Sequence, residues 1–135
     1  MNDNVYFGNL IANKKSSIAP LEKDISKRGK SKLLISNRSG SILNLVIHGT
    51  EVNVVRAMTI RRRKRLHLVK GTYVVELWLS SGRITIHPVD IPHISIERIT
   101  TRPDVSIRGR KLVADFISDR SRLEIDCERS DDETA

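Results

Sequence analysis

The sequence predicts an all-β fold, a single β-sandwich or jelly-roll-like/barrel domain with a basic N-terminal arm and a short acidic C-terminal tail. Short runs rich in Val, Ile and Leu recur along the chain, and Gly, Pro, Asn and Ser separate them, which is typical of strands joined by turns. No stretch of similar length has helical periodicity. At 135 residues the chain is long enough for one domain with a real core, and its single cysteine excludes an internal disulfide.

The predicted strands follow one another closely. They are Leu33–Ile35, Ile42–Ile47, Glu51–Ile60, Leu66–Val69, Tyr73–Leu79, Arg83–His87, His93–Ile99, Val105–Ile107, Leu112–Phe116 and Leu123–Cys127. The stretch Asn37–Gly40 is a turn signal, and Ser80-Ser81-Gly82 predicts a hairpin between the strands on either side. A short helix beginning at Asp115 or Ser118 is an alternative for the end of the series.

Alternation predicts which side chains of these strands face inward. Ile94 and Ile96 are expected to face the core. Glu76 shares a face with Val74 and Trp78, so it is either a buried carboxylate or an outward residue that pairs with an arginine. Cys127 alternates with Leu123 and Ile125, which favours a packed thiol over a nucleophile.

Three segments make up the chain. Residues 1–32 form the predicted arm, partly disordered, residues 33–127 the β-domain, and residues 128–135 a disordered acidic tail. A short helix over Pro20–Lys27 is an option within the arm. The apolar residues near the start of the chain are expected to dock on the domain or on a neighbouring subunit. They are Val5, Tyr6, Phe7, Leu10 and Ile11.

Positive charge is concentrated in the first half of the chain. The net charge is +8, yet residues 11–70 hold 15 Lys and Arg against 3 Asp and Glu, a net charge of +12. The sharpest feature is the run of five cations from Arg61 to Arg65. A strand would divide these charges between its two faces, so we expect the run at an edge, at a bend or in a hairpin loop.

This distribution predicts a noncatalytic protein that binds RNA or DNA through its phosphates, because arginine donates two hydrogen bonds to one phosphate. The candidate residues are Lys14, Lys15, Lys27, Arg28, Lys30, Lys32, Arg61, Arg62, Arg63, Lys64 and Arg65. No base-reading motif is present and no aromatic residue interrupts the run, so binding is expected to be nonspecific and salt-sensitive.

Other uses of the same charges stay open. A basic arm on a β-sandwich is also the layout of small viral coat and matrix proteins, which leads us to expect a homo-oligomer. The alternatives are an assembly or interaction domain whose basic surface binds an acidic partner, or an anionic membrane surface with Val5-Tyr6-Phe7 as its anchor. No stretch is long and apolar enough to be a transmembrane segment.

A further alternative comes from two short motifs. Arg61–Arg65 contains RxxxR, and Asp104-Val105-Ser106-Ile107-Arg108-Gly109 fits DxSxxG. Together they resemble the ligand motifs of PilZ domains. That resemblance implies a β-barrel that binds a cyclic dinucleotide.

Catalytic and metal chemistry have little support in the sequence. His87, Asp90 and His93 could meet in one loop, but their spacing is not that of a zinc site. No nucleophile or phosphate-loop motif is present, so we expect no enzymatic activity, no metal and no cofactor. One cysteine suggests a reducing, cytoplasmic location, with the nucleus as an alternative if the protein is eukaryotic or viral.

Overall fold

The computed structural model describes residues 29–50, 55–100 and 108–130. These ranges hold nine strands and no helix. The strands are β1 (Ser31–Arg38), β2 (Leu43–Gly49), β3 (Val55–Ile60), β4 (Arg63–Leu68), β5 (Gly71–Leu79), β6 (Arg83–Val89), β7 (Ile94–Thr100), β8 (Arg108–Phe116) and β9 (Arg122–Glu128). The predicted all-β class is confirmed for this part of the chain.

The strands form two sheets. Sheet A has the order β4-β1-β9-β6, and sheet B has the order β3-β2-β5-β8-β7. The β1–β9 pair is parallel, and every other pair is antiparallel. Both sheets are open, with β4 and β6 at the edges of one and β3 and β7 at the edges of the other, so the described strands do not form the closed barrel implied by the PilZ resemblance.

The core lies between the two sheets and contains mostly Leu, Ile and Val. Sheet A contributes side chains such as Leu33 and Ile125, and sheet B contributes Leu45 and Leu77, all with no exposed surface. Burying each such side chain stabilises the fold by roughly 1.5–3 kcal/mol. This arrangement is sandwich-like, and the alternation of buried and half-buried residues along β1 and β9 matches the predicted period of two.

The predicted hairpin at Ser80–Gly82 is wrong. The connector leads from β5 in sheet B to β6 in sheet A, so the strands that it joins do not pair. Gly82 makes this crossing sharp: its φ is +122°, and a Cβ there would lie 2.6 Å from the carbonyl oxygen of Glu128. A three-residue connector with glycine therefore serves a crossing between sheets as well as a hairpin.

Two other sequence predictions have different outcomes. Ile96 lies on the inward face as predicted, in register with the core residue Leu112, yet 48% of it is exposed, because β7 is the edge strand of the wider sheet. The alternative helix at Asp115 or Ser118 does not form. Asp115 lies in β8, and the turn that follows is held by Ser121, whose Oγ accepts hydrogen bonds from the backbone N–H groups of Ile117 and Ser118.

Several sequence predictions lie outside the described residues. These are the arm before Gly29 with its helix over Pro20–Lys27, the beginning of the strand predicted from Glu51, the strand Val105–Ile107, and the tail after Ser130. Within the described ranges, β1 begins at Ser31, two residues before its predicted start.

Candidate nucleic-acid interface

The cationic run lies where the chain crosses from one sheet to the other. β3 ends at Ile60, Arg61 and Arg62 form a bend, and β4 begins at Arg63. β3 is an edge strand of sheet B and β4 is an edge strand of sheet A, so the run follows one edge of the sandwich. The predicted placement at an edge and a bend is confirmed.

The strand geometry of β4 separates its charges as expected. Arg63 and Arg65 are exposed and face away from the core, in register with Ser36 and Leu34 of β1. Lys64 is half-buried on the opposite face, in register with the core residue Ile35. Its aliphatic stem can cover apolar surface while the ammonium group reaches solvent. The exposed arginines are therefore Arg61, Arg62, Arg63 and Arg65.

Buried Asn37 of β1 holds the backbone of the bend. Its Nδ2 donates hydrogen bonds to the carbonyl oxygens of Ile60 (2.9 Å) and Ser41 (2.8 Å), and its backbone N–H donates to the carbonyl of Arg62. Its Oδ1 accepts from the N–H (3.1 Å) and the hydroxyl (2.7 Å) of Ser39. The bend is thus tied on both sides of Arg61, which fixes where the arginines leave the surface.

No acid neutralises the run within the described ranges. In residues 29–50, 55–100 and 108–130, no carboxylate lies within ion-pair distance of a side chain from Arg61 to Arg65. Five contiguous cations without a counter-charge repel one another and attract a polyanion.

The outward carboxylates of sheet A are engaged elsewhere. Glu128 of β9 contacts Arg38 (3.1 Å) and Arg83 (3.7 Å), Glu124 contacts Arg122, and Asp126 lies 3.7 Å from His87 Nε2. Exposed pairs of this kind contribute little to stability, at most about 1 kcal/mol each. These pairs partly neutralise the acidic middle of this face, whereas Arg63 and Arg65 at the β4 edge have no such pair among the described residues.

A shallow groove of about 670 Å³ runs between the basic edge and the acidic strand. Arg63 and Arg65 line one side, Leu34 and Ser36 lie between, and Glu124 and Asp126 line the other side. The two sides are two strand spacings apart, about 10 Å. A polyanion is attracted to one side and repelled by the other, so it would lie along the edge and not across the sheet.

The remaining predicted site residues are only partly brought together with the run. Lys32 is half-buried on the outward face of β1, in register with His67 and Arg122, and Lys30 is exposed just before β1. Both lie toward the other end of the edge strand from Arg63. Lys14, Lys15, Lys27 and Arg28 lie outside the described residues.

Sequence reasoning missed Asn37 as a site residue. The stretch Asn37–Gly40 predicts a turn, whereas Asn37 is the seventh residue of β1 and is only 5% exposed. Its partners Ile60 and Arg62 are more than twenty positions away, so no local pattern identifies its role. The signal that was available is weak: an amide at an inward position of an alternating strand requires hydrogen-bond partners.

The sequence also raised a metal site, a packed thiol at Cys127 and a buried carboxylate at Glu76. Across the described residues no three His, Cys, Asp or Glu side chains come close enough to hold a metal ion. Cys127 is fully buried, as predicted, and its burial, with a smaller effect of Asp126, raises the pKa of the thiol to about 12. Glu76 is 6% exposed, in register with Lys111 of β8.

The two PilZ-like motifs are only partly described. Gly109 lies in β8, in register with Trp78, and Asp104 to Ile107 lie outside the described residues. The two motifs lie at the same end of sheet B but are not adjacent. Ile60, which directly precedes the cationic run, is three strand spacings, about 14 Å, from Arg108.

Comparison of the chain with protein families, curated proteins and solved structures found no match. The described residues include no helix with the length and hydropathy that a membrane span requires.

Proposed function

We propose that this protein is a noncatalytic nucleic-acid-binding protein whose Arg61–Arg65 edge contacts the phosphate backbone. The observation that carries the proposal is the contiguous run of cations at the sheet edge, four of them exposed, with no ion pair to a carboxylate among the described residues. Arginine forks suit phosphate oxygens, and the contacts need no particular base.

Preorganisation supports the same proposal. Because Asn37 fixes the bend from both sides, the backbone between β3 and β4 does not have to be ordered when a ligand binds. The acidic strand β9 restricts the contact to the edge. We therefore expect a narrow footprint, with the arm residues Lys14, Lys15, Lys27 and Arg28 adding further phosphate contacts.

The test is a salt titration of binding to generic RNA and DNA. In the full chain, Arg63→Gln with Arg65→Gln should lower the slope of log K against log salt by about 0.9 per lost contact on duplex DNA and about 0.7 on single strands. The matched control is Arg98→Gln with Arg120→Gln, because both are exposed arginines away from the edge. Equal slopes for the two double variants would reject the proposed surface.

A second candidate function for the charges is protection of the edge. Basic side chains on an edge strand discourage strand addition by another chain. Under this alternative, replacing the five cations with glutamine produces aggregation, and the unchanged protein binds no nucleic acid at low salt. Binding by the unchanged protein would remove this alternative as the full explanation.

Self-association is also part of the proposal, and β7 supports it. Two of the inward positions of this edge strand are apolar, Ile94 and Ile96, and Ile96 is 48% exposed, whereas the charged Arg98 follows on the same face. Antiparallel pairing of two copies about Ile96 would place Ser95 opposite Glu97 and Ile96 opposite itself. Ile96→Lys should therefore lower the mass measured by light scattering, whereas Ile117→Lys, at another exposed isoleucine, should not.

A further inference from the structure

The outer face of sheet B, which points away from sheet A, contains buried residues that the sandwich does not explain. Val46 of β2 and Trp78 of β5 are each only 1% exposed, yet neither belongs to the hydrophobic cluster between the sheets. Between them Glu76, in register with Val46, is 6% exposed. These three residues define the covered patch.

Neighbours within the sheet do not account for this burial. Leu34 of β1 is the matching case on the outer face of sheet A, since it also lies on an inner strand between two neighbours, and it keeps a half-exposed side chain. All nine described strands belong to the two sheets, so none of them forms a third layer over the covered patch. The Trp78 ring lies against Gly109 of β8, beside Ile99 of β7.

Neither segment that connects the strands at the ends of sheet B reaches across the whole patch by itself. Residues 101–107 connect Thr100 to Arg108, so even at full extension this segment reaches about 13 Å from the end of the sheet. Val46 is about 14 Å from that point, three residues along and two strands across. Residues 51–54 reach about 8 Å at the opposite end, whereas Trp78 is about 14 Å away, four residues along and one strand across.

The 28 residues before Gly29 are long enough to reach both Val46 and Trp78. Fully extended they span roughly 90 Å, far more than the patch needs. Gly29 packs against the backbone of Leu68, three residues before β5 begins, so the segment starts close to the crossing from sheet A to sheet B. The segment also brings apolar side chains, Val5, Tyr6, Phe7, Leu10 and Ile11, whereas residues 131–135 contain only one apolar residue, Ala135.

We propose that the N-terminal segment of this chain folds back and packs Val5, Tyr6 and Phe7 over the covered patch of Val46, Glu76 and Trp78. Burial of Trp78 within a single chain favours this occupant over a second copy. The segment then acts as an intramolecular third layer on sheet B. Its packing directs the lysines that follow, Lys14 and Lys15, along the domain surface instead of leaving the whole arm free.

Trp78 is the only tryptophan of the chain, so its fluorescence reports on this patch alone. In the full chain we expect buried-type emission that acrylamide quenches poorly and that does not change on tenfold dilution. Replacing Val5, Tyr6 and Phe7 together with Ser should shift the emission to longer wavelength and raise the quenching constant, while the circular dichroism of the sheets stays unchanged. The matched control, Val105→Ser with Ile107→Ser in the segment that connects β7 to β8, should leave the emission unchanged.

A nitroxide label gives a second measurement that does not depend on a destabilised variant. A label on Tyr6→Cys should quench Trp78 strongly, and the same label on Ser130→Cys should not, with buried Cys127 left unmodified. Equal quenching by the two labels would overturn the proposal. The proposal would also be overturned if the emission shifted in the variant of Val105 and Ile107 but not in the variant of Val5, Tyr6 and Phe7. An emission shift on dilution would overturn it too, because it would indicate the N-terminal segment of a second copy.

Discussion

Asn37→Asp is the substitution that tests most sharply how the cationic bend is held. It preserves the size of the side chain and replaces the amide NH2 with an oxygen. The hydrogen bonds that Asn37 donates to Ser41 (2.8 Å) and Ile60 (2.9 Å) are lost, while those that it accepts from Ser39 remain. The buried Ile60 carbonyl and the partly buried Ser41 carbonyl then face a carboxylate instead of a donor.

The expected cost follows from these two bonds. A buried acceptor left without a donor costs about 1–3 kcal/mol, and the Ser41 carbonyl keeps only the Ser39 hydroxyl (3.1 Å), which also donates to residue 37, so we expect the free energy of unfolding to fall by roughly 3 kcal/mol at neutral pH. Urea unfolding followed by Trp78 fluorescence measures the change, and with a slope of about 1.5 kcal/mol per molar the midpoint should fall by roughly 2 M.

The stability of the Asn37→Asp variant should depend on pH. Burial against two carbonyl oxygens raises the pKa of the new carboxyl in the folded state, and its protonated form regains one donor. The variant should therefore lose stability relative to the unchanged protein as pH rises through the ordinary aspartate pKa of about 4. Asn44→Asp, half-buried on the outer face of β2, is the control and should change stability by less than about 0.5 kcal/mol. A loss below about 1 kcal/mol for Asn37→Asp would refute the anchoring role.

Three further predictions concern packing and titration. Gly109→Ala should destabilise the fold by roughly 1–3 kcal/mol in thermal unfolding, because its Cβ would lie 2.8 Å from ring carbons of Trp78; an unchanged Tm would contradict this. Burial raises the pKa of Tyr73 to about 12, so stability should fall between pH 10 and pH 12, where only the unfolded chain ionises. Tyr73→Phe should reduce this loss of stability at high pH. Because the variant lacks the hydrogen bond to the Val69 carbonyl (2.8 Å), it should also be about 1 kcal/mol less stable at pH 7. The buried Cys127 thiol, with its pKa raised to about 12, should react with a disulfide reagent at pH 8 only after unfolding, and rapid reaction in the folded protein would disprove that burial.

The strands could be predicted because their signals are local. Tyr73–Leu79 alternates between faces and is rich in β-branched and aromatic residues, and β5 contains this whole stretch. The edge placement of Arg61–Arg65 could be predicted for the same reason, since neighbouring charges cannot share a buried sheet.

The pairing of the strands could not be predicted. The connector Ser80–Gly82 has the composition of a hairpin turn, yet nothing in it says which sheet the next strand joins. The parallel pair of β1 and β9 joins segments some ninety residues apart. Asn37 contacts Ile60 only because the β1–β4 pairing and the sheet crossing place them together. Such contacts depend on the packing of the whole chain.

The central claim is that the Arg61–Arg65 edge binds nucleic acid through phosphates. The most direct measurement compares the salt dependence of binding between the unchanged chain and a chain with all five cations changed to Gln, on the same generic RNA and DNA. The account predicts affinity that falls steeply with salt for the unchanged chain, and a slope smaller by up to about 4.5 for the variant on duplex DNA. No binding at low salt, or the same slope for both chains, would contradict it.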